Sequence, residues 1–292
     1  MDAKKNNAIV FGLTADHVFA VACVMMDLKR LSPGMVDEVV IIHDGIGKND
    51  QKILGTILPT RFILYDFPLK SARVLNSRSV RQFSKMVFTK FECLRLLDDY
   101  KNVMWSDYDV IVQVDISELF SHCEEGIKFM PGENSVRGQL HESVSEYDME
   151  AVGIGAGLFV FQDHLKKHKE MYQFCYAELD KYAELLYMPE QAIFDFMVQR
   201  FSLQPVLIDS KVFSPHPSDP VLAPKAKIIH AYGQPKFWNG LHNEHWQKNY
   251  QNWLNLGGGK YEEKSAMDRV ITKFKSILLR FRCAIEKFEE KA

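Results

Sequence analysis

Ala8-Ile9-Val10-Phe11-Gly12-Leu13-Thr14-Ala15-Asp16 decides the fold class. Its first six residues form a short, continuous apolar run and read as a buried strand. Thr14 or Asp16 then caps a helix start, and Phe19 to Leu28 is apolar at helical spacing. Working outward, the alternation repeats. Glu38–Ile42 is a second buried strand followed by the turn His43-Asp44-Gly45, Asn49–Leu58 is helical, and Arg61–Phe67 is a third strand. Strand, helix, strand, helix, strand predicts an α/β sheet with crossover helices.

Further along, Ser79–Leu97 reads as one long helix and Ser117–Phe120 as a short turn or helix. Asn102–Trp105, Val110–Val112, Ile127–Met130 and Gly157–Gln162 read as strands. Pro131–Glu150 is polar, charged and glycine-containing, the composition of a long loop. His164–Tyr187 and Glu190–Phe201 are helical, Lys227–His230 is strand-like, and Tyr232–Asn239 is a loop.

The 292 residues include 47% hydrophobic and 25% charged side chains, with a formal net charge of -2. That composition supplies a full core and no global basic field that would recruit nucleic acid. Cys23, Cys93, Cys123, Cys175 and Cys283 are odd in number, and none forms a C-x-x-C pair. The count argues against a disulfide framework or a cysteine zinc site and fits a reducing compartment. No apolar run approaches the roughly 20 residues of a membrane span. A cytoplasmic chain is expected, either soluble or peripheral at the inner face of the plasma membrane.

The chemistry concentrates in two places. Asp107-Tyr108-Asp109 follows the apolar run Asn102-Val103-Met104-Trp105. Carboxylates at a strand end can project into the crevice where α/β folds bind ligands. Hard divalent cations take oxygen ligands and bridge phosphates. Taken by itself, D-x-D is also common among solvated loop residues. Far downstream lies His230-Ala231-Tyr232-Gly233-Gln234-Pro235-Lys236-Phe237-Trp238. His230 can serve as a third ligand, Gly233 lets backbone approach a phosphate, and Lys236 supplies a point charge. Each has a plain structural alternative: a core histidine, a turn glycine, a surface lysine. Together the two stretches describe one site for a metal diphosphate.

Several blocks, in order, resemble family 8 of the glycosyltransferases, the group containing glycogenin and bacterial lipopolysaccharide galactosyltransferases. They are Phe88–Cys93, Tyr100–Asp109, Ile116–Phe120, Gly155-Ala156-Gly157 opening a strand, Glu190-Gln191, and the H-x-x-G-x-x-K pattern from His230 to Lys236. The resemblance covers roughly residues 8 to 240. It implies a GT-A fold, a Rossmann-like mixed sheet flanked by helices, and retention of anomeric configuration. It further implies a UDP-sugar donor, a glycan or lipid-linked acceptor, and manganese or magnesium held by Asp107, Asp109 and His230. By the same resemblance Gly233 and Lys236 hold the diphosphate, with Tyr108 between the ligands and Lys90 touching the donor's sugar or phosphate. Leu13 offers backbone to the base, Asp16 contacts the uracil, and Phe19 stands near the aromatic position. Gly155, Ala156 and Gly157 run beside the donor, and Gln191 sits under its sugar.

Two positions depart from the family pattern. Gly155 stands where the family has asparagine, and Glu190 where it has aspartate. The first puts the donor sugar in doubt and admits a catalytically inactive nucleotide-sugar-binding relative. The second moves the acceptor-side carboxylate by one methylene. Retention needs either a nucleophile on the opposite face, for which Glu190 is the better chemical candidate, or attack from the leaving-group face, which the resemblance favours. A D-x-D phosphatase of the haloacid dehalogenase type is the remaining alternative. It fits poorly, because three strand–helix units precede Asp107. Pro131–Glu150, with Glu133, His141 and Glu142, is either the acceptor-contacting element or a surface insertion.

Gly257-Gly258-Gly259 reads as a hinge, dividing a catalytic domain of 1–256 from a C-terminal segment of 257–292. Residues 264–292 carry Val270, Phe274, Ile277, Leu278, Phe281, Ile285 and Phe288 at spacings of three and four, among Arg269, Lys273, Lys275, Arg280 and Arg282. Such an amphipathic basic helix suits an anionic membrane surface. The alternatives are packing on the catalytic domain or against the partner of a homodimer.

Overall fold

The computed structural model describes residues 4–262. The first compact unit is Met1–Gly259. Cys283 and the amphipathic tail over 264–292 lie outside the described residues.

The chain opens with β1 (Lys5–Leu13), α1 (Val18–Leu31), β2 (Glu38–His43), α2 (Lys48–Ile57) and β3 (Thr60–Leu64). The predicted alternation is therefore observed. Short helices α3 (Ala72–Leu75), α4 (Arg78–Phe83) and α5 (Glu92–Leu96) lead to β4 (Tyr100–Ser106) and β5 (Val110–Val112). Then come β6 (Ile127–Ser135), β7 (Val152–Gln162), α6 (His168–Tyr182), α7 (Pro189–Arg200), β8 (Val206–Leu207), α8 (Ser210–Phe213), β9 (Ile228–His230) and α9 (Glu244–Asn255). Seven strands form one mixed sheet in the order β3-β2-β1-β4-β7-β6-β8, and β5 pairs with β9 in a separate ribbon. β1, β2, β3 and β4 are parallel, whereas β7 runs antiparallel to both β4 and β6.

Both faces of the sheet are covered, which explains the continuous apolar runs. Ala8 and Val10 join a core with Phe91, Phe159, Phe161 and Phe194. Ile9 and Phe11, on the other side of the pleat, are also fully buried. α1 packs against α2 and α9, while α6 packs against α5 and α7. At Gly12 the crossing is so tight that an added Cβ would lie 1.9 Å from Thr89 Oγ1 and 2.7 Å from Trp105 Cη2.

The predicted helix over Ser79–Leu97 is instead three pieces. Ser84 takes a left-handed φ of 66°, closing α4 with its N–H on Val80 and accepting the Met86 N–H on its hydroxyl. Local hydrogen bonds from Ser and Thr side chains compete with helical ones, and Lys85–Phe91 continues as a 3-10 helix. Pro131–Glu150 is only partly a loop. β6 runs on to Ser135, with register shifts on either side of Pro131 that admit a residue without an N–H. The glycine triplet ends α9. Gly258 N–H returns to Trp253 O, Trp253 Nε1 donates to Gly259 O, and Gly259 N–H reaches Asp50 Oδ1 on α2.

α7 is tied to β7 by two acceptors four residues apart on one helix face. Ile154 N–H donates to Asp195 Oδ1 at 3.1 Å, and Ala156 N–H to Gln191 Oε1 at 3.5 Å. β4 pairs only as far as Leu158, so these N–H groups lie beyond its end. Burial pushes the Asp195 carboxyl up to about 7, against the opposing hydrogen bonds of the Ile154 N–H and the Gln139 amide.

Two outcomes follow from this packing. Gly12→Ala should lower the free energy of unfolding by about 1–3 kcal/mol through overpacking, read as a lower urea midpoint at unchanged slope. Asp195 binds its proton more tightly folded than unfolded. Its stabilising contribution is therefore complete below the ordinary carboxylate pKa near 3.8 and is lost as pH rises through about 7. Asp195→Asn, which keeps an acceptor for Ile154, should flatten stability between pH 4 and 7, removing a slope on the order of 1 kcal/mol per pH unit.

Candidate metal and nucleotide-sugar site

Because β1, β2 and β4 run parallel, their C-terminal ends share one edge of the sheet. Leu13, Asp44 and Asp107 stand at or just past those ends. Asp44 Oδ1 accepts the Ala15 N–H at 2.8 Å and shapes the turn that presents Asp16. Asp16 bonds Thr14 Oγ1 and lies 3.1 Å from His17 Nδ1. Leu13 is buried, with its main chain in the β1 ladder.

Past Ser106 the chain leaves the sheet. Asp107 N–H holds on to Gly157 O at 2.9 Å, Asp107-Tyr108-Asp109 turns, and β5 departs to pair with β9. The ribbon register sets Val110 opposite His230. Ala231 N–H donates to Asp109 O, so the imidazole meets the carboxylates. His230 Nε2 lies 3.1 Å from Asp109 Oδ1 and 3.9 Å from Asp107 Oδ2. One ligand atom each from Asp107, Asp109 and His230 fall within 4.8 Å of one another. Two carboxylates and an imidazole suit a divalent cation such as manganese or magnesium.

The surrounding groups orient this set. Trp105 Nε1–H donates to Asp107 Oδ1 at 2.9 Å. Ser214 Oγ sits 3.1 Å from His230 Nδ1. With the ring hydrogen on Nδ1 and given to Ser214, Nε2 is left to bind a cation. Burial pushes the Asp109 carboxyl up, but His230 and Lys236 outweigh it and hold it well below the usual carboxylate range. Burial likewise lowers His230, and Asp109 followed by Asp107 more than reverses this. Lys236 Nζ bonds Asp109 Oδ2 and donates to Ala231 O at 2.7 Å, so the ammonium now stands against a ligand carboxylate. Gly233 has a φ of +72°, with nothing within 4 Å of where a Cβ would point.

Below the ligands, Lys90 is buried between two carboxylates, 2.9 Å from Glu190 and 3.3 Å from Asp107. Burial alone would lower its pKa, but Asp107 and then Glu190 raise it, so it is held charged. Gln191 faces Ala156, and Gly155 and Gly157 lie along the same stretch of β7. The sequence-derived residues thus converge around one centre, with one correction. Phe19 is fully buried, so packing rather than the base takes its ring. It meets Trp238, Tyr250 and Trp246 edge-on. The partly exposed rings at this place are Tyr108, His17 and Trp238. Tyr108 lies 5.5 Å from His17 and 6.3 Å from Trp238. His17, Trp105, Ser214 and Trp238 were not singled out from sequence. Only the adjacency of His17 to Asp16, and of Trp105 to the acidic pair, offered a signal.

Comparison with known proteins follows the same lines. No curated protein matches the chain. Among solved structures, the bifunctional glycosyltransferase WbbM superposes with a TM-score of 0.63 at 15% identity, over 88% of this chain and 52% of WbbM. The chain therefore spans about half the length of that protein. The galactosyltransferase LgtC, solved with donor and acceptor sugar analogues, gives 0.60 at 14% identity, over 85% of this chain and 94% of LgtC. GlyE of Streptococcus pneumoniae TIGR4 gives 0.55 at 17% identity, over 90% of this chain and 66% of GlyE. At these identities the likeness speaks to the GT-A fold. The model of glycosyl transferase family 8 matches residues 8–242, which leaves the D-x-D phosphatase alternative without support. The chain belongs to glycosyltransferase family 8.

Proposed function

We propose that the chain transfers a hexose or N-acetylhexosamine from a UDP-sugar to a glycan or glycolipid acceptor with retention of configuration. The single observation that supports this reading best is the meeting of Asp107, Asp109 and His230 within 4.8 Å, with Lys236 already on Asp109. These three residues would hold manganese or magnesium, which when bound neutralises charge on the departing diphosphate.

The protein's own groups do the rest. Lys236 is one side-chain swing from a ligand carboxylate to a phosphate oxygen, and so carries positive charge to the leaving group. Lys90, kept charged by Asp107 and Glu190, offers a fixed cation beneath the donor. Gln191 spends its oxygen on Ala156, which leaves its amide N–H groups to face the sugar. Glu190 is ion-paired and buried, which makes it a poor opposite-face nucleophile. Same-face substitution is favoured instead, with a donor phosphate oxygen taking the acceptor's proton. Tyr108, His17 and Trp238 provide aromatic surface beside Asp16 for the base.

Gly157 keeps this centre open. A Cβ there would lie 3.0 Å from His230 Cε1 and 3.2 Å from Asp107 Oδ2.

UDP release from a panel of UDP-sugars, with and without manganese, tests the reading. Release should require the cation, and Asp109→Asn should lower it about a hundred- to a thousand-fold, the effect of removing one transition-state charge stabiliser. Cation-independent release, or full release by Asp109→Asn, overturns the assignment. Gly157→Ala should weaken manganese binding by roughly tenfold, the equivalent of about 1.4 kcal/mol of overpacking, measured by manganese titration calorimetry.

A further inference from the structure

His230 carries rings on its surface as well as carboxylates. Tyr232 meets it edge-on, centroids 5.6 Å apart at 82°, and His216 meets Tyr232 at 5.1 Å and 67°. Although Tyr232 is two residues from a metal ligand, it is 45% exposed. Its hydroxyl has no hydrogen-bond partner among the described residues. Burial, then Glu133, then Asp219 push its phenol up, so both charges that reach it are negative. Asp219 is already engaged, accepting from the Val221 and Leu222 N–H groups at 2.9 Å each. Glu133, exposed on the far reach of β6, makes no hydrogen bond or ion pair among the described residues. His216 Nδ1 accepts the Ser218 N–H at 3.2 Å, which puts the hydrogen of the neutral ring on Nε2.

We propose that Tyr232, His216 and Glu133 form the acceptor subsite and select an uncharged pyranose at the reacting end of the acceptor. The inference rests on the sugar-transfer reading above and adds the acceptor's chemical class to it. An exposed aromatic ring offers a flat apolar face for the C–H side of a sugar, while a few placed polar groups fix its orientation. Glu133 accepts hydrogen bonds from sugar hydroxyls, and His216 Nε2–H donates to one. The same carboxylate repels an acceptor bearing its own carboxylate or phosphate near the reacting sugar. In the transfer step the acceptor hydroxyl oxygen bonds the donor's anomeric carbon. The bond from that carbon to the UDP oxygen breaks, and the hydroxyl proton leaves with the UDP phosphate.

The experiment uses the full chain with manganese and its best UDP-sugar. UDP release is followed alone (donor hydrolysis) and with p-nitrophenyl glucoside, galactoside, N-acetylglucosaminide or glucuronide. The three neutral glycosides are also tested by saturation-transfer NMR. Acceptor-dependent release from at least one neutral glycoside should exceed that from the glucuronide tenfold or more. Tyr232→Ala should raise the acceptor KM and reduce transfer at least tenfold more than it reduces donor hydrolysis. Glu133→Lys should raise the glucuronide-to-glucoside ratio at least fivefold. Equal use of the glucuronide, or transfer and hydrolysis falling in parallel in Tyr232→Ala, overturns the subsite. So does a ratio unmoved by Glu133→Lys. Donor hydrolysis without NMR contact to any neutral glycoside sinks the subsite alone, whereas absence of both hydrolysis and transfer removes the sugar-transfer reading beneath it.

Discussion

The pairing of two three-residue strands governs the chemistry of this molecule. Because Val110 stands opposite His230, the imidazole comes to the carboxylate that ends the preceding turn. A slip of one residue would turn His230 to the other face of the ribbon and leave Asp109 buried without it. A buried carboxylate needs a cation or donors near it, since desolvation otherwise costs several kcal/mol. His230 and Lys236 supply that positive charge here. A divalent ion supplies it in the working enzyme proposed above, and Lys236 is then released toward the phosphates. One electrostatic requirement therefore links the fold of the ribbon to the arrival of donor.

The same logic extends outward. Asp107 is shared by the Trp105 indole and Lys90, and Lys90 is shared with Glu190 on α7. The ligand set is thereby coupled to the helix that also grips β7 through Gln191 and Asp195. On another side, Asp27 of α1 is 2% exposed and accepts from Asn249 at 2.8 Å, with Arg30 and His245 also against it. That cluster fastens α9 to α1. α9 in turn carries Trp246 and Tyr250 against Phe19, whose ring backs Trp238. The aromatic surface proposed for the base thus depends on a carboxylate buried on a different helix.

Much of this could be read in advance, and the failures have identifiable causes. The runs from Ala8 to Phe67 alternate apolar strands with helical spacing, and every one of those elements forms. Asp107, Asp109, His230 and Lys236 were recognisable as a set because their ordered blocks resemble a known family. Ser79–Leu97 was read as one helix because apolar spacing does not register Ser84, whose own hydrogen bonds end the turn. Pro131 looked like a loop, yet a shift in register lets a strand pass through it. Phe19 looked like a ligand-facing ring. Its apolar surface is better buried against three aromatic partners, and the exposed role falls to Tyr108, His17 and Trp238.

By itself, the sequence determined the order of strands and helices, the acidic pair at a strand end, and the glycines and lysine of the downstream motif. Those features depend on local periods and on neighbours a few residues apart. Only the tertiary structure decided that His230 reaches Asp109 across 121 positions, that Lys90 reaches Glu190 across 100, and that Tyr232 and Glu133 act on each other beside the metal ligands. Such meetings are set by strand register and helix docking. Their energy comes from burying charge and apolar surface together, which no stretch of chain can do alone.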